Sequence, residues 1–375
     1  MQVSVQTIIE KIAGWAPPSL AEKWDNVGLL LGNPQQTVKK VLTALDVTPE
    51  NVAYAIEHEV DLIVAHHPLI FKPLANLQEG KTVTDLIAAL QRHHIAVYAA
   101  HTNLDIAEGG VNDMLAEQLG LTAVKGLHRV QEQALYKIAV YVPKQDGDRV
   151  RQSLGDAGAG ALGNYSHCSF TSAGTGRFLP GEGAQPHIGT LGELTRVEEE
   201  KVEVIVSRET LANALQAMLA VHPYEEPAYD IYPLSNQGKG YYLGRIGEWP
   251  EAVDTEVALQ KISHALGMDT IRYSGHAEKI KRIALCGGAG MEFWPTALAA
   301  GADLYITGDV KYHEAQDAQN AGLMVVDGHH FYTEQNIAKV LQERITAWAK
   351  ENNWDCAVEE DLLRKDVFSF YRGQA

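Results

Sequence analysis

The sequence predicts an α/β protein in which two similar lobes with mostly parallel sheets flank an inserted α+β module. Three observations carry this. Short apolar strands alternate with helices of about ten residues at both ends of the chain, the grammar of parallel sheets. The texture changes over 130–238, where glycine and loop signals accumulate. The chain has 375 residues, 46% of them hydrophobic, which is enough for two or three domains with their own cores.

In the first lobe (1–129), KKVLTALDV (39–47) reads as a strand and PENVAYAIEHE (49–59) as a helix opening on Pro49 behind Thr48. DLIVAHH (61–67) is a second buried strand. TVTDLIAALQRHH (82–94) is an amphipathic helix that leads into the strand IAVYAAH (95–101). VNDMLAEQLG (111–120) is a helix closed by Gly120.

The middle stretch opens with the strand LYKIAVYVPKQ (135–145) and the helix DRVRQSLGDAGAG (148–160). Residues 163–189 read as a Gly-rich loop region. VEVIVS (202–207) is a strand, RETLANALQAMLAVH (208–222) a strong helix and PAYDIYPL (227–234) a closing strand. The order suits a β-α-β-β-α-β, ferredoxin-like domain inserted over 130–238.

GYYLGRIGEW (240–249) returns the chain to the second lobe (239–375). There KRIALCGGAG (281–290), ADLYITGD (302–309) and LMVVDGHH (323–330) read as strands. MEFWPTALAAG (291–301) and VKYHEAQDAQNAG (310–322) read as helices, and 333–353 as one long helix.

A net charge of −17 and a pI near 5.3 argue against a general affinity for nucleic-acid backbones or anionic membranes. Cys168, Cys286 and Cys356 lie far apart, as ordinary thiols in a reducing compartment do. The start of the chain lacks a basic and apolar leader, and no run reaches the length of a membrane span. The expectation is a cytoplasmic protein.

Chemistry gathers at the carboxyl ends of strands, where open α/β sheets bind ligands. His66 and His67 stand back to back at the end of an apolar run, before Pro68. On a continuing strand they would face opposite ways, so they converge only if the chain turns there. His101 and Asp105 follow the next strand. In the second lobe, Thr307 and Asp309 end one strand, and Asp327, Gly328, His329 and His330 end another. Glu334 lies four residues past His330, on the same face of a helix turn. Histidines and carboxylates without thiolates form a ligand set for zinc, iron or manganese, and carboxylates bridge ions about 3.5–4 Å apart. The expectation is a divalent metal site, in which His66 and His67 each face a different ion or together flank one. His101, Asp309 and His313 are expected to line the pocket, or to be ordinary turn and helix-start residues. Trp24, Asp25 and Asn26 read as a lip of the cleft or a plain turn. The glycines of CGGAG (286–290) suit close backbone approach better than phosphate binding, and HPYEEP (222–227) reads as a solvated turn.

EKWDNVGLLLG (22–32), VAHHPLIFKPL (64–74), AAHTNLD (99–105), ADLYITGDVKYHEAQDA (302–318) and VVDGHHFYTE (325–334) together resemble the signature segments of the NGG-interacting-factor-three-like family. Its bacterial members are labelled GTP cyclohydrolase 1 type 2 homologues. HPYEEPAYDI (222–231) resembles the insert of the longer members. The resemblance implies a dinuclear metal cleft between the lobes and a ring-shaped homo-hexamer. Carried over by position, the ligands are His66, His67, Asp105, His330 and Glu334. In the last motif the family shows Gly-His with Glu three or four residues on, whereas two histidines follow Gly328 here. His330 keeps the spacing to Glu334, and His329 keeps adjacency to the glycine. The functional expectation is a metal-dependent hydrolase of a small molecule such as a nucleotide or related heterocycle. The alternative is a metal storage, sensing or delivery protein with a regulatory insert.

Overall fold

Runs such as LIVA (Leu62–Ala65) and AVYA (Ala96–Ala99), buried at every position, pair well only inside a sheet covered on both faces. In the computed structural model, which describes residues 1–371, they lie parallel in a five-stranded sheet. Its order is Ala357–Glu360, Lys40–Ala44, Leu62–Ala65, Ala96–Ala99 and Gly28–Leu31. Gly28–Leu31 is antiparallel, and the other four strands run parallel. Register is tight at the centre, with Thr43 beside Val64 and Val64 beside Tyr98.

The first helix over this sheet, Val5–Trp15, was not foreseen; Ser4 caps it by accepting from the Thr7 N–H. Pro49–Glu57 opens with a reciprocal cap between Thr48 and Asn51. The region read as one helix over 333–353 is two. A short helix, His330–Glu334, is followed by a turn at residues 335 and 336 and then by Ile337–Glu351. Glu334 therefore ends its own short helix and does not start the long one. Ile337, Leu341 and Ile345 of the long helix share a core with Val41, Val64 and Tyr98, and Thr43 Oγ1 donates to the Ala338 carbonyl at 2.7 Å. Burying such side chains stabilises the fold by about 1.5–3 kcal/mol each.

The second large sheet is mixed, in the order Arg272–Ser274, Met324–Asp327, Leu304–Thr307, Ile280–Leu285, Gly240–Val253 and Thr122–Glu132. Only the three strands between Met324 and Leu285 in that order run parallel. Trp249 is buried there, its indole N–H donating to the Leu119 carbonyl at 2.8 Å. The helix expected over 291–301 begins as a 3-10 turn, Met291–Phe293, and turns α-helical at Trp294–Ala299, where Pro295 sits among the first residues that donate no helical bond.

Contacts divide the chain into two compact units, one of residues 1–130 with 241 onward, the other of 131–240. The second holds a four-stranded antiparallel sheet in the order Tyr229–Leu234, Leu135–Pro143, Thr195–Ser207 and Ser169–Phe178. Alternate residues Ile138, Val140, Val142 and Val202, Val204, Val206 pack with Val150, Leu154 and Met218 from its two helices. The stretch read as loop over 163–189 contains the strand Ser169–Phe178. Its glycines hid it: Gly176 lies directly opposite Val197, and a Cβ there would meet the Glu199 carboxylate at 2.1 Å.

Candidate metal centre

The strand Leu62–Ala65 ends one residue before the histidine pair. The backbone stays tethered, His66 N–H donating to Ala44 O and His67 N–H to Leu45 O, but it bends. Alternation is lost and both rings enter one space, 5.0 Å apart centre to centre. His101, from the end of the next strand, lies 5.2 Å from His66 and 5.4 Å from His67. His330 brings the second lobe to the same place, its ring 5.2 Å from His67.

One arrangement repeats at all four imidazoles. Nδ1 of His66 contacts the Ala100 carbonyl at 2.8 Å. Nδ1 of His67, His101 and His330 each contact a carboxylate at 2.8 Å, those of Asp46, Asp25 and Asp309. A carbonyl or carboxylate only accepts, so each Nδ1 carries a proton and Nε2 is the atom turned toward the cluster, the one a metal would bind. Held this way, the rings are oriented as metal ligands are.

The Nε2 atoms and two carboxylates sort into overlapping groups whose ligand atoms all lie within 4.8 Å of one another. An inner group is His66, Asp105 and Glu334, all buried. An outer group is His67, His330 and Glu334. Glu334 belongs to both. A third combination is His66, His67 and His101. In the inner group His66 Nε2 lies 3.6 Å from Asp105 Oδ1 and 3.9 Å from Glu334 Oε1. In the outer group Glu334 Oε2 lies 3.0 Å from His67 Nε2 and 3.1 Å from His330 Nε2. His66 Nε2 and Asp105 Oδ1 are buried without a hydrogen-bond partner, and buried Glu334 Oε2 has only the His67 and His330 imidazoles beside it. Orphaned acceptors at this density are costly, and a divalent cation satisfies them together. The donor set, three to four imidazole nitrogens and two carboxylates without thiolate, fits zinc, iron or manganese.

Without an ion the electrostatics are strained. Burial and the neighbouring Glu334 charge push Asp105 up to about 8. Burial also works against ionisation of Glu334, but the imidazoles of His330, His66 and His67 outweigh it and hold its carboxyl well below the usual range. Burial disfavours charge on His67 as well, yet Asp46 and Glu334 raise it to about 10. His330 rises to about 9 for the same reasons, with Asp309 in place of Asp46.

The glycine turn after Ile280–Leu285 lets backbone pass against the site. A Cβ on Gly288 would stand 2.2 Å from Glu334 Oε1, and its φ is +60°. Thr307 braces this turn, accepting from the Gly290 N–H at 2.9 Å. Asn112 ties it to the first lobe, its Nδ2 donating to Asp105 O and its Oδ1 accepting from Gly287 N–H.

All five expected ligands, His66, His67, Asp105, His330 and Glu334, thus meet in one cluster, and His101 joins them. Asp309 holds His330, and Asp25 holds His101 while accepting from the Thr102 N–H. Trp24 stands edge-on to His101, and the Asn26 amide donates to Ile70 O. His313 is exposed, its ring against Tyr312, and belongs to none of these groups. His329 has a φ of 54° and turns its ring to Phe370, 5.0 Å away, outside the cluster. Asp46 was missed, although it carries the same signal as the others, a carboxylate at a strand's carboxyl end. Beside the outer group opens a hollow of about 850 Å³, reached by His67 and His330 but not by His66, Asp105 or Glu334.

The sequence profile of the Duf34/NIF3 (NGG1p interacting factor 3) family matches residues 3–361. A Halalkalibacterium halodurans protein named GTP cyclohydrolase 1 type 2 homolog is 42% identical over 97% of this chain and 98% of its own. A Bacillus subtilis protein of the same name is 40% identical over 98% and 99%. Among solved structures, a Bacillus cereus protein related to NIF3 superposes with a TM-score of 0.91 at 38% identity, covering 98% of this chain and 99% of that one.

Proposed function

We propose that this chain, which belongs to the Duf34/NIF3 family, holds two divalent metal ions and uses them to hydrolyse a small molecule such as a nucleotide or related heterocycle. The observation that carries this is the convergence of buried His66 Nε2 and Asp105 Oδ1, which lack partners, with Glu334 and with imidazoles whose Nδ1 atoms are already held. His66 and Asp105 are the proposed ligands of the inner ion, His67 and His330 of the outer one, with Glu334 between them. These residues would hold the ions where their Lewis acidity could supply an activated water and polarise the bond under attack. The carboxylates of Asp46 and Asp309 hold the Nδ1 protons of His67 and His330 and so aim their Nε2 atoms into the site. His101, paired with Asp25, is positioned to hold a proton near the reacting group. The relatives' printed name, GTP cyclohydrolase 1 type 2 homolog, supports a heterocyclic nucleotide as substrate class.

The same reading includes a ring-shaped homo-hexamer, a cytoplasmic location, and lobes of 1–129 and 239–375 around a ferredoxin-like interaction module at 130–238. No helix among the described residues is long and apolar enough to cross a membrane. A second reading, metal storage or delivery without turnover, draws on His330, whose side chain is 38% exposed and gives the outer group access to solvent.

A screen of nucleotides and pterin-like heterocycles with zinc-, iron- and manganese-loaded protein separates the two. Hydrolysis predicts product that disappears on chelation and returns with one preferred metal. Metal transfer to an acceptor chelator with no substrate consumed supports delivery and overturns the hydrolase.

A further inference from the structure

The hollow beside the outer group has a second set of walls that the metal ligands do not use. Its volume, about 850 Å³, is that of a small-molecule site. Beyond the histidines its lining mixes apolar and aromatic side chains, Val310, Phe331 and Phe370 among them, with four aspartates, Arg272 and Lys365. Phe370 comes from the C-terminal segment and packs its ring against His329. The faces of its aromatic side chains favour a flat ring.

Each acidic side chain of the lining has at least one partner, although Asp366 Oδ2 is buried without one. Asp46 and Asp309 hold histidines, Asp327 accepts from Arg272 and from the His329 N–H, and Asp366 accepts from the Phe368 N–H. Arg272 stands where this hollow meets a smaller one of about 290 Å³. Its Nε contacts Asp327 Oδ2 at 3.0 Å, and its Nη2 donates to the same oxygen and, at 2.7 Å, to the Val310 carbonyl. That fixes the guanidinium plane while its side chain stays 66% exposed, with Nη1 left to meet a ligand.

We propose that this hollow seats a flat heteroaromatic ring against Phe331 and Phe370, with a phosphate on the ring's substituent bound by Arg272. Arg272 is then the residue that selects the phosphorylated ligand over its unphosphorylated parent. The proposal deepens the hydrolase reading and rests on it for the placing of the reacting group at the outer ion.

The test is calorimetric titration of zinc-loaded protein with GMP, guanosine and inorganic phosphate, with AMP as a second ring. GMP is expected to bind at least tenfold tighter than guanosine or phosphate alone. Arg272→Gln should bring GMP down to the guanosine level and leave guanosine unchanged. Because Arg272→Gln leaves Asp327 unpaired, Arg272→Gln with Asp327→Asn is the companion variant, and it should behave the same way. Phe370→Ala should weaken both GMP and guanosine by about tenfold. Metal content should be unchanged in all three variants. The proposal is overturned if neither nucleotide outbinds phosphate, or if GMP affinity ignores Arg272 and Phe370. Nucleotide binding through these residues without turnover of any compound would sink the hydrolase and keep the seat. Turnover indifferent to both residues would do the reverse.

Discussion

The inner and outer halves of the cluster use the same chemistry in opposite surroundings. His66, Asp105 and Glu334 are 0%, 8% and 2% exposed, and His66 Nε2 and Asp105 Oδ1 have no hydrogen-bond partner. His67 and His330 are 21% and 38% exposed in their side chains, each pinned by a surface carboxylate, and they border a hollow. The difference teaches that the inner half gathers polar atoms away from solvent, where unpaired charge is costly and a cation could meet them. The outer half is a site a ligand can reach. Glu334, on a helix of five residues, is the hinge of the comparison.

The largest effect is expected where the halves join. Glu334→Gln keeps the size and removes the shared charge, so elemental analysis should show loss of both ions. Asp105→Asn should remove the inner ion and, by leaving its position unfilled, weaken the outer one. His330→Ala should remove only the outer ion, and the metal content should fall from about two per chain toward one. If His330→Ala empties both positions, the halves are not separable and the comparison breaks.

Proton counting sharpens the same contrast. With pKa values of about 10, 9 and 8 in the metal-free protein, His67, His330 and Asp105 all carry protons at pH 7. Ligation must displace them, so loading zinc at pH 7 should release about three protons, read by calorimetry in buffers of different ionisation enthalpy. The sign for stability follows. Each folded pKa is raised, so the folded chain holds more protons than the unfolded one. The metal-free protein should lose stability as pH rises, from above about 4 to about 8 for Asp105 and from about 6.5 to about 10 for the histidines. Thermal melts that rise with pH over pH 6–9 would contradict these assignments.

The smallest effects are expected away from both halves. His329→Ala should leave metal content within error, since its ring faces Phe370. Replacing 131–240 by a Gly/Ser linker of about ten residues should leave metal binding intact, because all proposed ligands lie outside that unit and loop closure costs grow only logarithmically. A soluble, metal-free product would show that the insert shapes the site.

Much of this was legible in the sequence because it is local. Parallel strands announce themselves as short apolar runs, and ligand types at their carboxyl ends need no long-range knowledge. His330 and Glu334 were readable as a pair from spacing alone. What stayed hidden depends on partners remote in the chain. Ala357–Glu360 extends the first sheet by pairing with Lys40–Ala44, which no local pattern states. Asp46, Asn112 and Arg272 acquire roles only when the fold brings His67, Gly287 and Asp327 to them. His313 read either as a pocket residue, because it follows a loaded strand end, or as an ordinary helix-start residue, and the helix Tyr312–Asn320 presents it to solvent, as the second reading has it.

The central claim is that Glu334 stands between two ions. Anomalous diffraction from crystals of the zinc-loaded protein tests it directly. Two peaks about 3.5–4 Å apart are expected, one beside His66 and Asp105 and one beside His67 and His330, with the Glu334 carboxylate between them. A single peak held by His66, His67 and His101, with Glu334 uninvolved, would contradict it.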